Sequence, residues 1–177
     1  MGVAMGLEAV SEARRLRDAF GRFATGVAIV TTRAPSGQPV GFTLNGLTSV
    51  SLDPPLLLVT VGLGAGCLPS LESSGCFAVN VLRASQKPLA DRFTQRGIDR
   101  FEQVPFEFGE TGAPILKGCI ANFECVTEKT VDAGDHRIFI ARIEKLACDV
   151  SGDPLMFFAG KYIIDYVASR TPAQLRA

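Results

Sequence analysis

The sequence predicts a mainly β domain, an antiparallel barrel of six or seven strands with a few short covering helices. Three observations lead there. From Gly26 onward the chain breaks into short runs rich in Val, Ile, Thr and Phe; clusters of Gly, Pro, Asp and Asn separate those runs; and helical spacing is confined to three short stretches.

The first stretch carries Leu16, Phe20 and Phe23 at four- and three-residue intervals, with Ser11 and Glu12 upstream as cap and first-turn acid. It predicts an amphipathic helix ending near Gly26, a lid for something apolar. GVAIVTTR, VGFTLNG, LTSVSLDPP and LLLVTV follow as strands of a meander, with PSGQP as a turn. The Pro54-Pro55 pair cannot supply ladder N–H groups and marks a passage between strands. Pro69 opens a short helix that Gly75 closes. FAVNVL reads as a buried strand, and SQKPLADRFTQR as a second short helix capped by Ser85 with Leu89 and Phe93 a turn apart. DRFEQVPFEFGETGAPILKG is irregular. CIANFECVTEKTV, RIFIARIEKLACDV and LMFFAGKYIIDYV supply three more strands, joined by DAGDH and SGDP.

A chain of 177 residues fits one domain of roughly 100 to 200 residues, expected here over residues 11–168 with flexible tails at 1–10 and 169–177. With 47% hydrophobic residues, 20% charged and a formal net charge of +0, the composition is globular and argues against a nucleic-acid partner. Five cysteines without a CxxC pair read as reduced and buried, and a lone histidine argues against a structural metal site. No charged leader precedes a long apolar run, and the best apolar run, LLLVTVGLGAG, is too short and glycine-rich to span a bilayer. The expectation is a cytoplasmic protein.

Three segments could carry chemistry. In GFTLNGLTSVSLDPP, Thr43, Asn45, Thr48, Ser49 and Ser51 crowd neutral donors around Gly46, where backbone can approach a ligand. The same alternation fits an ordinary strand with hydroxyls facing solvent. GLGAGCLPS leads glycines into a helix start, an arrangement that suits a phosphate or a plain flexible turn; it lacks the third glycine of a dinucleotide fingerprint. DAGDHRIF holds the single histidine, His136. No GxSxG elbow and no paired carboxylates point to a hydrolase.

Taken in order, LRDAFGRFATGVAIVTT, GFTLNGLTSVSLDPP, FAVNVL, the LADRF and DRF pair, TGAPILKG and AGDHRIF resemble the flavin reductase family that serves two-component monooxygenases. The match runs from about Leu16 to Tyr166. The resemblance implies a split β-barrel of the FMN-binding kind and a homodimer with a flavin near the subunit interface. It implies an NAD(P)H:flavin oxidoreductase that reduces FMN or FAD with NADH or NADPH and supplies a flavin-dependent monooxygenase. Thr43, Leu44, Asn45, Gly46, Thr48 and Ser49 would line the flavin ring and ribityl chain. Ala65, Gly66, Cys67 and Leu68 would meet the phosphate or the outer tail, and Arg100 and Phe101 would lie close to the flavin. Asp135, His136 and Tyr162 would face the nicotinamide, His136 positioning it without acid or base work, since hydride transfer between stacked rings needs none.

Two departures from the family pattern matter. Gly46 stands where relatives commonly carry Ser, and Ala65, Gly66 and Cys67 where they carry Arg, Lys, Ser or Thr. Fewer side-chain donors predict a micromolar flavin affinity, on the order of −8 kcal/mol. Two other outcomes remain open from sequence: a split-barrel flavoprotein that retains its flavin and reduces another acceptor such as a corrinoid, and a non-catalytic flavin-binding protein.

Overall fold

The computed structural model describes residues 13–164. The Ser11 and Glu12 cap, the two tails and the end of the last expected strand lie outside those residues. Among the described residues twelve strands form: β1 (Thr25–Gly26), β2 (Ala28–Arg33), β3 (Pro39–Leu44), β4 (Leu47–Leu52), β5 (Pro55–Gly62), β6 (Cys76–Val81), β7 (Phe106–Phe108), β8 (Pro114–Leu116), β9 (Ala121–Ala133), β10 (His136–Cys148), β11 (Met156–Phe158) and β12 (Lys161–Ile163). Three α-helices accompany them: α1 (Ala13–Phe20), α2 (Leu68–Ser74) and α3 (Lys87–Thr94).

Seven strands make the main sheet, in the order β3-β2-β6-β9-β10-β5-β4, every pair antiparallel. This corrects the meander. β3 and β4 follow one another in sequence yet lie at opposite edges, with only Asn45 and Gly46 between them. Two residues cannot reach across an open seven-stranded sheet whose strands are ~4.8 Å apart. The sheet must therefore roll until its edges meet at Asn45–Gly46, which makes a split barrel.

β2 is buried from Ala28 to Thr32 because it has core on both faces. Ala28 and Val30 join Val59, Val61, Phe77 and Phe139 inside the barrel, where Leu68 and Leu71 of α2 plug the end. Val27 and Ile29 turn the other way, into a second cluster with Leu82, Phe93 of α3, Phe101, Leu116 and Leu155. Burial on both sides explains a continuous β-branched run, whereas β5, one face inward, alternates through Leu57, Val59 and Val61.

Four further expectations are corrected. α1 stops at Phe20, where Gly21 N–H closes on Arg17 O and Gly21 O takes Ala159 N–H. None of its described residues is buried: Leu16 is 39% and Phe20 71% exposed, and Phe23, just beyond it, 78%. Ser85 does not cap α3; it sits within a 3-10 turn (Ala84–Gln86), and Gln86 Oε1 reaches back to Arg83 N–H. The irregular stretch contains the β7–β8 hairpin. The last expected strand is the β11–β12 hairpin, which turns at Ala159 and Gly160 with φ of 50° and 79°, the two positive values a type I′ turn requires.

Candidate functional site

The seam where the barrel edges meet is built from backbone. Thr60 N–H donates to Gly46 O at 3.1 Å, and a Cβ on Gly46 would overlap Thr60 Oγ1. Gly46→Ala alone is expected to cost about 1–3 kcal/mol of stability. Adding Thr60→Ala removes the clashing oxygen and should recover most of that loss, as read by urea denaturation of the four members of the cycle.

Below the seam lies a cavity of about 160 Å³ bounded by Thr43, Leu44, Asn45, Thr94, Phe157 and Tyr162, with Val27 at its base. Thr43 Oγ1 donates to Ala90 O at 2.7 Å, which ties β3 to α3. Tyr162 packs edge-on against Phe157 at 5.5 Å, and Lys87 Nζ lies 5.5 Å from its ring centre. Burial, then the Asp91 carboxylate, push the Tyr162 phenol up, so it stays a neutral hydroxyl. Thr94 and Phe157 were not foreseen from the sequence. The one signal for Phe157 is its cross-strand pairing with Tyr162, visible only once the hairpin is recognised.

Two residues beyond Thr60, about 7 Å along the strand, β5 ends at Gly62 opposite His136. A Cβ on Gly62 would stand 3.9 Å from His136 Nε2, so the imidazole lies over the start of the glycine-rich loop. His136 Nδ1 is 2.7 Å from Asp135 Oδ1. The hydrogen bond from His136, then its charge, hold the Asp135 carboxyl below its ordinary value. The pairing is therefore retained above the usual carboxylate range and lost as pH falls through the lowered value.

Within the loop, Leu63 N–H donates to Asp135 O and Ala65 N–H to Gly62 O, both at 2.9 Å. Cys67 and Leu68 are buried as anchors in the barrel core. Gly64 and Gly66 have nothing within 4 Å of where a Cβ would stand, so it is the backbone before Cys67 that a ligand can approach. Pro69 and Gly75 fall at the start and left-handed cap of α2 as the sequence predicts.

The structure brings Thr43, Leu44, Asn45, Gly46, Tyr162, the loop and Asp135–His136 to one end of the barrel, and it leaves others apart. Thr48 and Ser49 face solvent on the edge strand β4. Arg100 braces the 95–101 loop against β3, donating from Nη1 to Gly41 O at 2.7 Å and from Nε to Gln95 O at 2.8 Å. Phe101 is 8% exposed and packs edge-on against Phe93 and Phe106, at 5.1 and 5.2 Å.

The cysteines are buried or half-buried except Cys148. Burial raises the thiols of Cys67, Cys119 and Cys125, the last to about 12. Since the thiolate is the reactive form, iodoacetamide should label Cys148 first in the native protein. Cys67, Cys119 and Cys125 should label only after denaturation, as peptide mass mapping would show. Among the described residues no group of three or more His, Cys, Asp or Glu side chains could hold a metal ion, and no helix is long and apolar enough to cross a membrane.

A family model for the flavin reductase like domain matches residues 20–163, a span that contains every one of these site residues. The chain belongs to the flavin reductase family. Its flavin reductase-like domain is 43% identical over 138 residues to the reductase component of the flavin-dependent trigonelline monooxygenase of Acinetobacter baylyi, covering 78% of this chain and 44% of that one. It is 40% identical over 149 residues to an FMN reductase (NADH) of Agrobacterium fabrum, covering 84% of each. The chain spans less than half the length of two of the curated relatives it matches, 43% of one and 44% of the other. The solved NADH:FAD oxidoreductase of Streptomyces globisporus, in complex with NAD and FAD fragments, superposes with a TM-score of 0.85 at 34% identity, covering 93% of this chain and 99% of that one. The split barrel of the flavin reductase family is thus the fold of this chain.

The residues present fit a flavin. Neutral hydroxyl and amide groups, open backbone and an aromatic wall suit a ring that presents carbonyls and nitrogens along its edge. The cavity of about 160 Å³ is smaller than the roughly 300–1,000 Å³ of a typical ligand site, so the residues around it enclose part of such a ligand.

Proposed function

We propose that this chain is an NAD(P)H-dependent flavin reductase that reduces FMN or FAD and supplies reduced flavin to a partner flavin-dependent monooxygenase. The observation that carries this reading is the meeting, at one barrel end, of the Gly46 seam, the glycine-rich loop and the Asp135–His136 pair. Relatives named FMN reductase (NADH) and NADH:FAD oxidoreductase support it, as does one named as a monooxygenase reductase component.

A bound flavin supplies the electron acceptor for the hydride. Thr43, Leu44, Asn45 and Gly46 bind one edge of it, and the backbone around Ala65 and Gly66 meets its phosphate. His136, steadied by Asp135, orients the nicotinamide, and Tyr162 excludes water from the cavity. Thr48 and Ser49 reach the ligand in a homodimer, where a second copy covers the β4 edge and the exposed Phe20 and Phe23. Arg100 and Phe101 support the site by bracing its loop. A cytoplasmic location goes with this reading.

The test is to mix the protein with NADH and FMN and follow the nicotinamide absorbance band, then repeat with FAD, riboflavin and NADPH. Oxidation well above the protein-free rate is expected, and its absence with every pair sinks the reading. Gel filtration of the loaded protein should strip the flavin, whereas stoichiometric retention would favour a flavoprotein that passes electrons to another acceptor. Light scattering on the same column should give twice the chain mass.

A further inference from the structure

We propose that Arg137 is a positioning residue, locking the glycine-rich loop and the Asp135–His136 turn into one frame that holds the flavin and nicotinamide sites in register. The inference rests on the assignment of those two segments to flavin and nicotinamide above, and it adds a residue to which that reading gave no role.

Strand alternation sends Arg137 and His136 to opposite faces. His136 pairs with Gly62, and Arg137 pairs with Val61, which is buried in the barrel. Arg137 therefore lies on the face that α2 plugs, directly behind the histidine. There it makes two attachments. Nε and Nη2 donate to Asp132 Oδ1 and Oδ2 at 2.6 and 3.0 Å, a bidentate fork across the β9–β10 turn. Nη1 forms an ion pair with Glu72 Oε1 on α2.

Exposed ion pairs usually contribute little, but a bidentate guanidinium shared between two carboxylates is the geometry in which they do. The Arg137 side chain is 26% exposed and Glu72 38%, against 60% for Asp132, so the link to Glu72 is the less screened of the two. Glu72 follows Leu71, one of the two leucines that seat α2 in the core. Those leucines hold the helix down, and the Glu72–Arg137 pair fixes its rotation. At the other end of the loop, Leu63 N–H is already bonded to Asp135 O. The loop is thus fastened to the histidine turn at both ends, once through backbone and once through Arg137. Releasing the second fastening leaves every ligand-facing side chain unchanged but lets the loop and the histidine turn drift, so each holds its ligand less firmly.

The test is a double-mutant cycle in the full chain: Arg137→Gln, Glu72→Gln and the two combined. Each single variant should raise the NADH KM and the flavin Kd, read by flavin fluorescence, by about five- to tenfold, with kcat changed less than about twofold. The combined variant should be no worse than Arg137→Gln alone, because that substitution already removes the link to Glu72. Singles that leave KM and Kd at wild-type values, or losses that multiply in the combined variant, overturn the proposal. Should Arg137→Gln fold poorly, Glu72→Gln decides alone, since it leaves the Asp132 fork intact. A wild-type chain that oxidises NADH alongside unchanged variants defeats the positioning role only. A wild-type chain that oxidises none defeats the function and this inference together.

Discussion

Asn80→Ala should lower stability by roughly 4 kcal/mol and the thermal midpoint by roughly 10 °C. Asn80 is completely buried in β6, between the two cores. Its Nδ2 donates to Ile29 O and to Thr31 Oγ1, each at 3.0 Å. Its Oδ1 accepts Leu116 N–H at 2.9 Å and Asn122 Nδ2 at 2.8 Å. One amide thus joins β2, β6, β8 and β9. Its removal strands several buried groups at about 1–3 kcal/mol each, less whatever neighbouring waters or shifts restore. Calorimetry of the variant checks this, and a midpoint within about 2 °C of wild type would mean the four strands do not depend on that amide.

His136→Ala should raise the KM for reduced nicotinamide by roughly tenfold, equivalent to about 1.4 kcal/mol, while the flavin Kd changes less than about threefold. The imidazole lies over Gly62, steadied by Asp135, clear of the cavity below the seam. A residue that orients one substrate and exchanges no proton affects binding of that substrate before anything else. Steady-state kinetics at varied NADH, beside a flavin fluorescence titration, separate the two. Equal losses in both would place His136 against the flavin instead, and wild-type values in both would remove it from the site.

The long strands were legible because their chemistry is local. β9 and β10 announce themselves by β-branched and alternating residues, and their ends fall within a few residues of expectation. The hairpin of β7 and β8 was hidden because each strand has three residues, too few for a period, beside prolines that argue against any strand. Ala159 concealed the last hairpin: it holds a positive φ without the Asn or Asp that usually marks such a turn. The edge-to-edge passage at Asn45–Gly46 could not be read locally at all. It depends on which strands fill the sheet between β3 and β4, and nothing in those residues records it.

The same distance from local signal separates the two kinds of site residue. Asn45, Gly46 and His136 stand at the barrel end where the sequence motifs suggested ligand chemistry. Arg100 and Phe101 belong to an equally recognisable motif, yet backbone carbonyls take up the guanidinium and two other rings enclose the phenyl group. A motif identifies a segment that matters to the site; whether its side chains touch a ligand or hold up the wall depends on packing.

The passage from β3 to β4 also bears on how the protein acquires its shape. Each hairpin beside it, β2–β3 and β4–β5, can form early, because its contacts are close in sequence. The two halves join only when β5 pairs with β10, setting Leu57 against Ala141, and when β6 and β9 fill the centre. Closure of a loop that long is slow. Asn45 and Gly46 therefore acquire their final geometry late in folding, and a molecule that needs it has no partner in the unfolded chain. Such a molecule should raise the unfolding barrier while leaving the early hairpins untouched.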